Sequence, residues 1–370
     1  MIIKYLRNLL AVLLCVSANN NFLISDNCIS SKTVFIDTGV TDEDLISVAL
    51  TGDIMLGTFF PDSTQLPKNE GKYLMRYITS YFLDADIVCG NLEGCLADTG
   101  GTIKSLRNPD SAYYFKMPIE YAQHLKEAGY DFLSLANNHI FDFGHYGKNL
   151  TKQKLDEVGI AYAGLIEKPW AVIEKQGVKY GFIAFAPNQG TLDIRKTDKA
   201  AQYVQELSLL VDIVIVSFHG GGEGSDFINV TREEEYYMGE NRGNIYEFSH
   251  AMIDAGADIV FGHGPHLTRA AECYNKRIIF YSLGNFCTYG RVNKTGIAGI
   301  APIAKVNLRK DGSFVDALII PTRQIGKGIP VYDFKGAVIK ELQRLSLEDF
   351  PESPLIISDD GYVSIPYQYE

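Results

Sequence analysis

Ile213-Val214-Ile215-Val216-Ser217-Phe218-His219-Gly220-Gly221-Gly222-Glu223-Gly224 is the stretch that decides the architecture. A strand with one wet face alternates apolar and polar residues. Ile213 to Phe218 does not alternate, so it reads as a strand covered on both faces, as in a sheet flanked by helices. The run stops at a histidine and a glycine-rich turn. In open α/β sheets the carboxyl ends of strands line the ligand crevice, so the chemistry is expected at this edge.

Working outward, the same plan recurs. Leu45 to Thr51 ends in Gly52-Asp53, and Ala85 to Cys89 ends in Gly90-Asn91-Leu92-Glu93. Phe132 to Ala136 runs into Asn137-Asn138-His139, and Asp258 to Phe261 into Gly262-His263-Gly264-Pro265-His266. Tyr180 to Ala186, Arg277 to Leu283, Ile300 to Leu308 and Phe314 to Ile320 read as further strands, the last two joined by a turn at Lys310-Asp311-Gly312. Helical spacing predicts helices over Lys72 to Leu83, Pro118 to Ala128, Tyr146 to Val158, Ala200 to Leu210, a segment ending near Gly256, and Phe334 to Leu345. Strands alternating with helices define an α/β fold.

Composition narrows the function. The chain has 370 residues, 46% of them hydrophobic and 21% charged, enough for a large buried core. Its formal net charge of -11, with no basic block, argues against nucleic acid as a partner and against docking on an anionic membrane through a polybasic patch. Lys4 and Arg7, the apolar run Leu9 to Val16 and the small residues Val16-Ser17-Ala18 have the order of a signal peptide, with Asn19 the first mature residue. The apolar run is too short for a bilayer, which needs roughly 20 residues. The chain is therefore expected to be exported, to the periplasm, the cell surface or the medium. Bulky Leu14 before Cys15 makes lipidation the minor option. The segment 1–18 is followed by an irregular leader at 19–44, a main domain at 45–320 and a C-terminal extension with one helix at 321–370. Cys28, Cys89, Cys95, Cys273 and Cys287 remain after cleavage. Cys273 and Cys287 flank a predicted strand pair, which leaves one bridge open, but free buried thiols are the commoner outcome.

Each polar strand end is unremarkable alone: Gly-Asp is usually a turn, and Asn-Asn-His usually a cap. Five of them on separate strands deliver Asp, Asn, Glu and His to one edge. Carboxylate, amide oxygen and imidazole suit manganese, iron or zinc. The ordered set resembles calcineurin-like metallophosphoesterases: Asp53, Asn138-His139, His219 and the pair His263 and His266 match successive motifs. Met55 and Asn91 depart, standing where that pattern has a histidine and a bridging aspartate. With those departures, Thr51-Gly52-Asp53-Ile54-Met55-Leu56-Gly57, Gly90-Asn91-Leu92-Glu93, Leu135-Ala136-Asn137-Asn138-His139, Gly262-His263-Gly264-Pro265-His266 and Tyr281-Ser282-Leu283-Gly284-Asn285-Phe286 resemble the bacterial capsule-synthesis (CapA, poly-γ-glutamate) family.

That resemblance implies two mixed β-sheets packed as a sandwich and flanked by helices. It implies one or two divalent ions held by Asp53, Asn91, Asn138, His219, His263 and His266, with His139 and Glu93 in catalytic roles. It also implies an anionic polymer or phosphoester substrate, membrane-bound capsule-synthesis components as partners, and a part in making or exporting anionic polymer. The alternatives are a metal-dependent phosphoester hydrolase and a non-catalytic anion-binding factor. His219-Gly220-Gly221-Gly222 looks like an esterase oxyanion loop, but the chain lacks the Gly-x-Ser-x-Gly elbow that chemistry needs. The loop is then either an anion-binding nest or a plain turn. Glu223 is expected to support His219, and Asp142, Asn188, Arg269 and Glu272 are secondary candidates near the same edge.

Overall fold

The computed structural model describes residues 45–105 and 113–366. The signal segment, the leader, Cys15 and Cys28 lie outside them. In chain order the first sheet takes β1 (Ile46–Met55), β2 (Ile87–Leu92), β3 (Phe132–Ser134) and β4 (Ala161–Ala163). The second takes β5 (Trp170–Lys175), β6 (Val178–Phe185), β7 (Ile213–His219), β8 (Ile259–His263), β9 (Ala271–Tyr274) and β10 (Arg277–Phe280). The chain then returns to the first sheet for β11 (Asn285–Thr288), β12 (Ile300–Leu308), β13 (Phe314–Ile325), β14 (Ile329–Tyr332), β15 (Ile356–Ile357) and β16 (Tyr362–Ser364).

Both sheets are mixed. The first runs β15-β16-β13-β12-β1-β2-β3-β4, with β11 on β1 and β14 on β13; the second runs β9-β10-β8-β7-β6-β5. They pack face to face. Val48, Leu50, Ile87, Phe132 and Val306 from one sheet meet Phe182, Ile213, Ile215, Phe261 and Phe280 from the other in a single buried cluster. Side chains alternate along a strand, so the intervening residues point outward. Ala49, Val88 and Leu133 pack under α1 (Tyr121–Ala128) and α2 (Gly144–Val158). Val214, Val216 and Val260 pack under α3 (Thr197–Ser208) and α4 (Ile245–Asp254). This is why the strands read as unbroken apolar runs: both faces are buried. The fold is the mixed α/β sandwich with flanking helices that the sequence predicts.

Two segments differ from the sequence reading. Residues 72–84 are not a continuous α-helix but successive turns with a short 3-10 segment at Thr79–Tyr81. Leu74, Met75, Ile78 and Phe82 are buried as helical spacing requires, yet the backbone bonds are mostly i to i−3, such as Ile78 N to Met75 O at 3.0 Å. The spacing reported the buried face, not the hydrogen-bond pattern. Beyond residue 320, β13 continues to Ile325 and β14, β15 and β16 join the first sheet, while α5 (Ala337–Asp349) gives Val338, Ile339 and Leu342 to the inter-sheet core. Cys273 and Cys287 are free and buried, as are Cys89 and Cys95.

The segment from Tyr281 to Asn285 carries the chain from the second sheet to the first, and it does so across both strand ends. Leu283 N donates to Gly262 O at 3.0 Å, and Gly284 O accepts from Asp53 N at 2.8 Å. A Cβ on Gly52 would sit 2.0 Å from Gly284 O, and one on Gly262 would sit 2.3 Å from Tyr281 O. Backbone meets backbone there, so no side chain can swing aside. Gly52→Ala is expected to destabilise the chain by about 1–3 kcal/mol or more, as overpacking does. A urea midpoint unchanged from wild type would refute this close-approach account.

Candidate metal centre

Strand register assembles the site. In the first sheet Asp53 of β1 lies opposite Asn91 of β2 on one side and Asn285 of β11 on the other. In the second sheet His219 of β7 lies opposite His263 of β8. The crossover at 281–285 then holds the two edges together, so that His263 and His266 from the second sheet reach Asp53 on the first.

Asp53 has no exposure to solvent. An ionised carboxylate without water needs compensating partners. Asn91 Nδ2 donates to Oδ1 at 2.9 Å, and His266 Nδ1 bonds Oδ2 at 3.0 Å. His263 Nδ1 lies 3.1 Å from Oδ1 without forming an aligned hydrogen bond. Burial is the largest single influence on Asp53 and pushes its pKa up, but His263 and His266 together outweigh it and hold the carboxyl well below the usual range. Burial likewise pushes His266 down, and the charges of Glu93 and Asp53 overcome it, lifting the imidazole to about 10. Glu93, just past β2, is raised well above an ordinary glutamate, first by burial and then by the charge of Asp53.

A polar relay leads away from Asp53. Asn91 Oδ1 accepts from Asn137 Nδ2 at 3.0 Å, Asn137 Nδ2 also donates to Leu92 O at 2.9 Å, and Asn137 Oδ1 accepts from His139 N at 3.0 Å. Backbone groups at the far end fix which way each amide faces. Asn91, expected as a metal ligand, therefore uses both ends of its amide in this relay. Its oxygen faces Asn137.

His139 is oriented by Asp142, whose Oδ2 lies 2.8 Å from Nδ1. Asp142 also accepts from Phe115 N at 2.8 Å and pairs with Lys104. Burial lowers the His139 pKa, helped by the charges of Lys104 and His266 and opposed by Asp142; its Nε2 lies 3.9 Å from Glu93 Oε1. Asp142 thus holds the place of a supporting residue. Glu272 does not: it bonds His250 at 3.0 Å and Tyr281 OH at 2.7 Å. Asn188 lines the cleft.

The glycine-rich loop is not an anion nest. Gly220 N donates to His263 O, Gly221 N to Arg242 O, Gly222 N to Glu235 Oε2 at 2.7 Å, and Gly224 N to Pro265 O. These amides are taken up by the protein itself. Glu223 pairs with Arg242 at 3.2 Å rather than supporting His219 directly. Arg269 is a structural residue, fully buried and bidentate to Glu235 at 3.0 and 2.9 Å.

The residues fit a divalent ion. Asp53, Glu93 and His266 offer ligand atoms that all lie within 4.8 Å of one another. Glu93 Oε1, His263 Nε2, His219 Nδ1 and Asn138 Oδ1 are buried without a hydrogen-bond partner. Orphaned buried acceptors of this kind call for an explanation, and an ion supplies one. His219 stands apart from that trio: its ring centre is 6.2 Å from that of His266, and Arg242 Nη2 faces its Nε2 at 3.4 Å. Glu93, Asn138, His139 and His266 open into a cleft of about 1010 Å³, with Asp53, Asn91 and His263 buried at its base. Sequence reasoning passed over Arg242, whose loop has no periodicity or motif. It quoted Asn137 and Asn285 within motifs without giving either a place in the site.

Fold and site together define an α/β sandwich protein with a candidate divalent-ion centre where its two sheet edges meet. The chain belongs to the bacterial capsule synthesis family, since the family model described as "Bacterial capsule synthesis protein PGA_cap" matches residues 47–289. It is similar to the PGA biosynthesis protein CapA of Bacillus subtilis strain 168, with 29% identity over 260 residues covering 66% of this chain and 63% of that one. The capsule biosynthesis protein CapA of Bacillus anthracis is 27% identical over 253 residues, covering 66% and 60%. The chain thus spans about three fifths of the length of these two relatives. Among solved structures it is similar to the purple acid phosphatase PPD1 of yellow lupin, with a TM-score of 0.42 and 14% identity over 79% of this chain and 54% of that one.

If Asp53 is the central ligand, Asp53→Ala is expected to abolish stoichiometric manganese or zinc uptake while the chain stays folded. Calorimetric titration of the metal-stripped protein checks this. Undiminished uptake by the variant would remove Asp53 from the centre.

Proposed function

We propose that the chain is an exported accessory factor in making or exporting an anionic capsule polymer, acting through a cleft that holds one divalent ion. The observation that carries this reading is the Asp53, Glu93 and His266 cluster at the base of the cleft, with the buried Glu93 Oε1 left unpartnered. The cleft is at the upper end of the range for small-molecule pockets, which suits a length of chain better than a small monoester. Membrane-bound capsule-synthesis components are the proposed partners. No helix among the described residues is long and apolar enough to cross a membrane.

Asp53, Glu93 and His266 would hold the ion, with the unpartnered His263 Nε2 a further candidate ligand. Bound there, manganese, iron or zinc would draw charge from an anionic group and make a coordinated water a better nucleophile. The remaining work falls to the protein. His139, fixed through Nδ1 by Asp142, presents Nε2 to the cleft and can accept or return a proton there. Asn91 keeps Asp53 in place. Hydrolysis of a phosphoester is the second reading, and the His139–Asp142 pair is the feature that favours it.

Ligand count sets the limit on that second reading. Met55 Sδ accepts from Gly57 N at 3.3 Å, and Asn91 is tied into the relay. Neither offers a hard anionic ligand for a second ion. Wild-type turnover of generic phosphodiesters is therefore expected to be weak or absent. Changing Met55→His and Asn91→Asp together should place a second carboxylate against Asp53, lower the stability of the metal-free chain, and raise both ions bound per chain and turnover. Brisk wild-type hydrolysis with two bound ions would defeat the argument. Export has its own check: Edman sequencing of protein recovered outside the cytoplasm should begin near Asn19, and an intact Met1 on cytoplasmic protein would exclude a cleaved signal.

A further inference from the structure

Two arginines lie buried side by side behind the glycine-rich loop, and they are used differently. Arg269 has its charge answered in a two-pronged pair: both its terminal nitrogens meet Glu235, which also takes Gly222 N, and only its Nε is left without a partner. Arg242 is only 3% exposed, yet its charge is poorly answered. Among the described residues its one acid is Glu223, at 3.2 Å through Nη2. The same Nη2 faces His219 Nε2 at 3.4 Å, and Nε is buried with no partner at all. A buried guanidinium normally sits in a two-pronged pair with its other donors satisfied. Arg242, Glu223 and His266 all line the cleft.

We propose that Arg242 is the oxyanion-binding residue of the cleft, a fixed cation that Glu223 occupies until an anionic group of the substrate displaces it. This rests on the anion-handling function proposed above and supplies its missing recognition element. Arg242 is held for the task at its backbone. Its N donates to Glu235 O at 2.8 Å and its carbonyl accepts from Gly221 N at 3.0 Å. The two-pronged Glu235–Arg269 pair therefore anchors the segment of chain from which Arg242 projects. The planar fork suits either a phosphate or a carboxylate. A permanent cation beside His219 provides positive charge in the cleft that no metal need supply.

The test is equilibrium binding to the full mature chain after chelation of metal, by calorimetry, with inorganic phosphate and separately with glutarate. Wild type should bind at least one, and the preferred anion separates a phosphoester from a polymer carboxylate as the source. Arg242→Gln should weaken that binding about tenfold or more, and Arg242→Lys should fall between, because a point charge replaces a fork. Glu223→Gln should tighten binding, since the resident competitor is gone. Circular dichroism and thermal melting check the fold of each variant. Should Arg242→Gln fail to fold, the opposite signs expected for Arg242→Lys and Glu223→Gln still decide the matter. The proposal falls if wild type binds neither anion, if Arg242→Gln or Arg242→Lys binds like wild type, or if Glu223→Gln weakens binding. Metal content and turnover of the as-isolated protein are read separately, so failure of the metal centre and failure of Arg242 are distinguishable.

Discussion

The structure turns on one carboxylate that has no water. Asp53 ends a core strand at zero exposure, and an ionised group there is tolerable only if cations and donors come to it. They come from both sheets: Asn91 from a neighbouring strand, His263 and His266 from the opposite layer. That demand explains the close backbone approaches at Gly52 and Gly262, because two sheet edges must meet within hydrogen-bond distance of one side chain. It also explains the crossover through Leu283 and Gly284, which bonds to both edges at once. The fold is, in this sense, the scaffold of a single cross-sheet ion cluster.

From that cluster the polar order spreads outward by obligation rather than by proximity alone. Asn91 gives its donor to Asp53 and so needs a donor for its oxygen, which Asn137 provides. Asn137 then turns its own oxygen to the backbone of His139 and thereby places the ring beside Glu93. Each amide has one orientation left to it once its neighbour is set. A substitution anywhere along this chain therefore reaches the centre through geometry as well as through charge, since networks of this kind are coupled more strongly than isolated pairs.

Much of this was legible in the sequence, and the reason is physical. Strands covered on both faces must be apolar throughout, so the runs at Leu45, Ile213, Asp258 and Ile300 announce themselves. The abrupt polar residues that end the runs at Leu45, Ile213 and Asp258 mark the edge where the site is built. What could not be read is anything set by orientation. Asn91 has the right atoms for a ligand, and only its contacts reveal that both are in use. The spacing of Leu74, Met75, Ile78 and Phe82 fixes a buried face, but a string of i to i−3 turns satisfies it as well as an α-helix does. Arg242 sits in an irregular loop, and its meaning comes from Glu223 and His219, 19 and 23 positions away in sequence.

The glycine-rich loop shows how a motif beside a site can serve the fold while the chemistry lies next to it. Its run of small residues invites a reading as a phosphate cradle, because exposed amides in a turn bind anions. A cradle needs amides that are free, and here Gly220, Gly221, Gly222 and Gly224 donate to His263, Arg242, Glu235 and Pro265. The glycines let the loop pass close under β8 and hold the segment that carries Arg242. The positive element in this wall is thus a side chain, and the loop is its mount. If the cleft takes an anion, as proposed, a chain with net charge -11 must concentrate cations locally. Placing a guanidinium where burial keeps water from screening it achieves that with one residue, without a second metal ion.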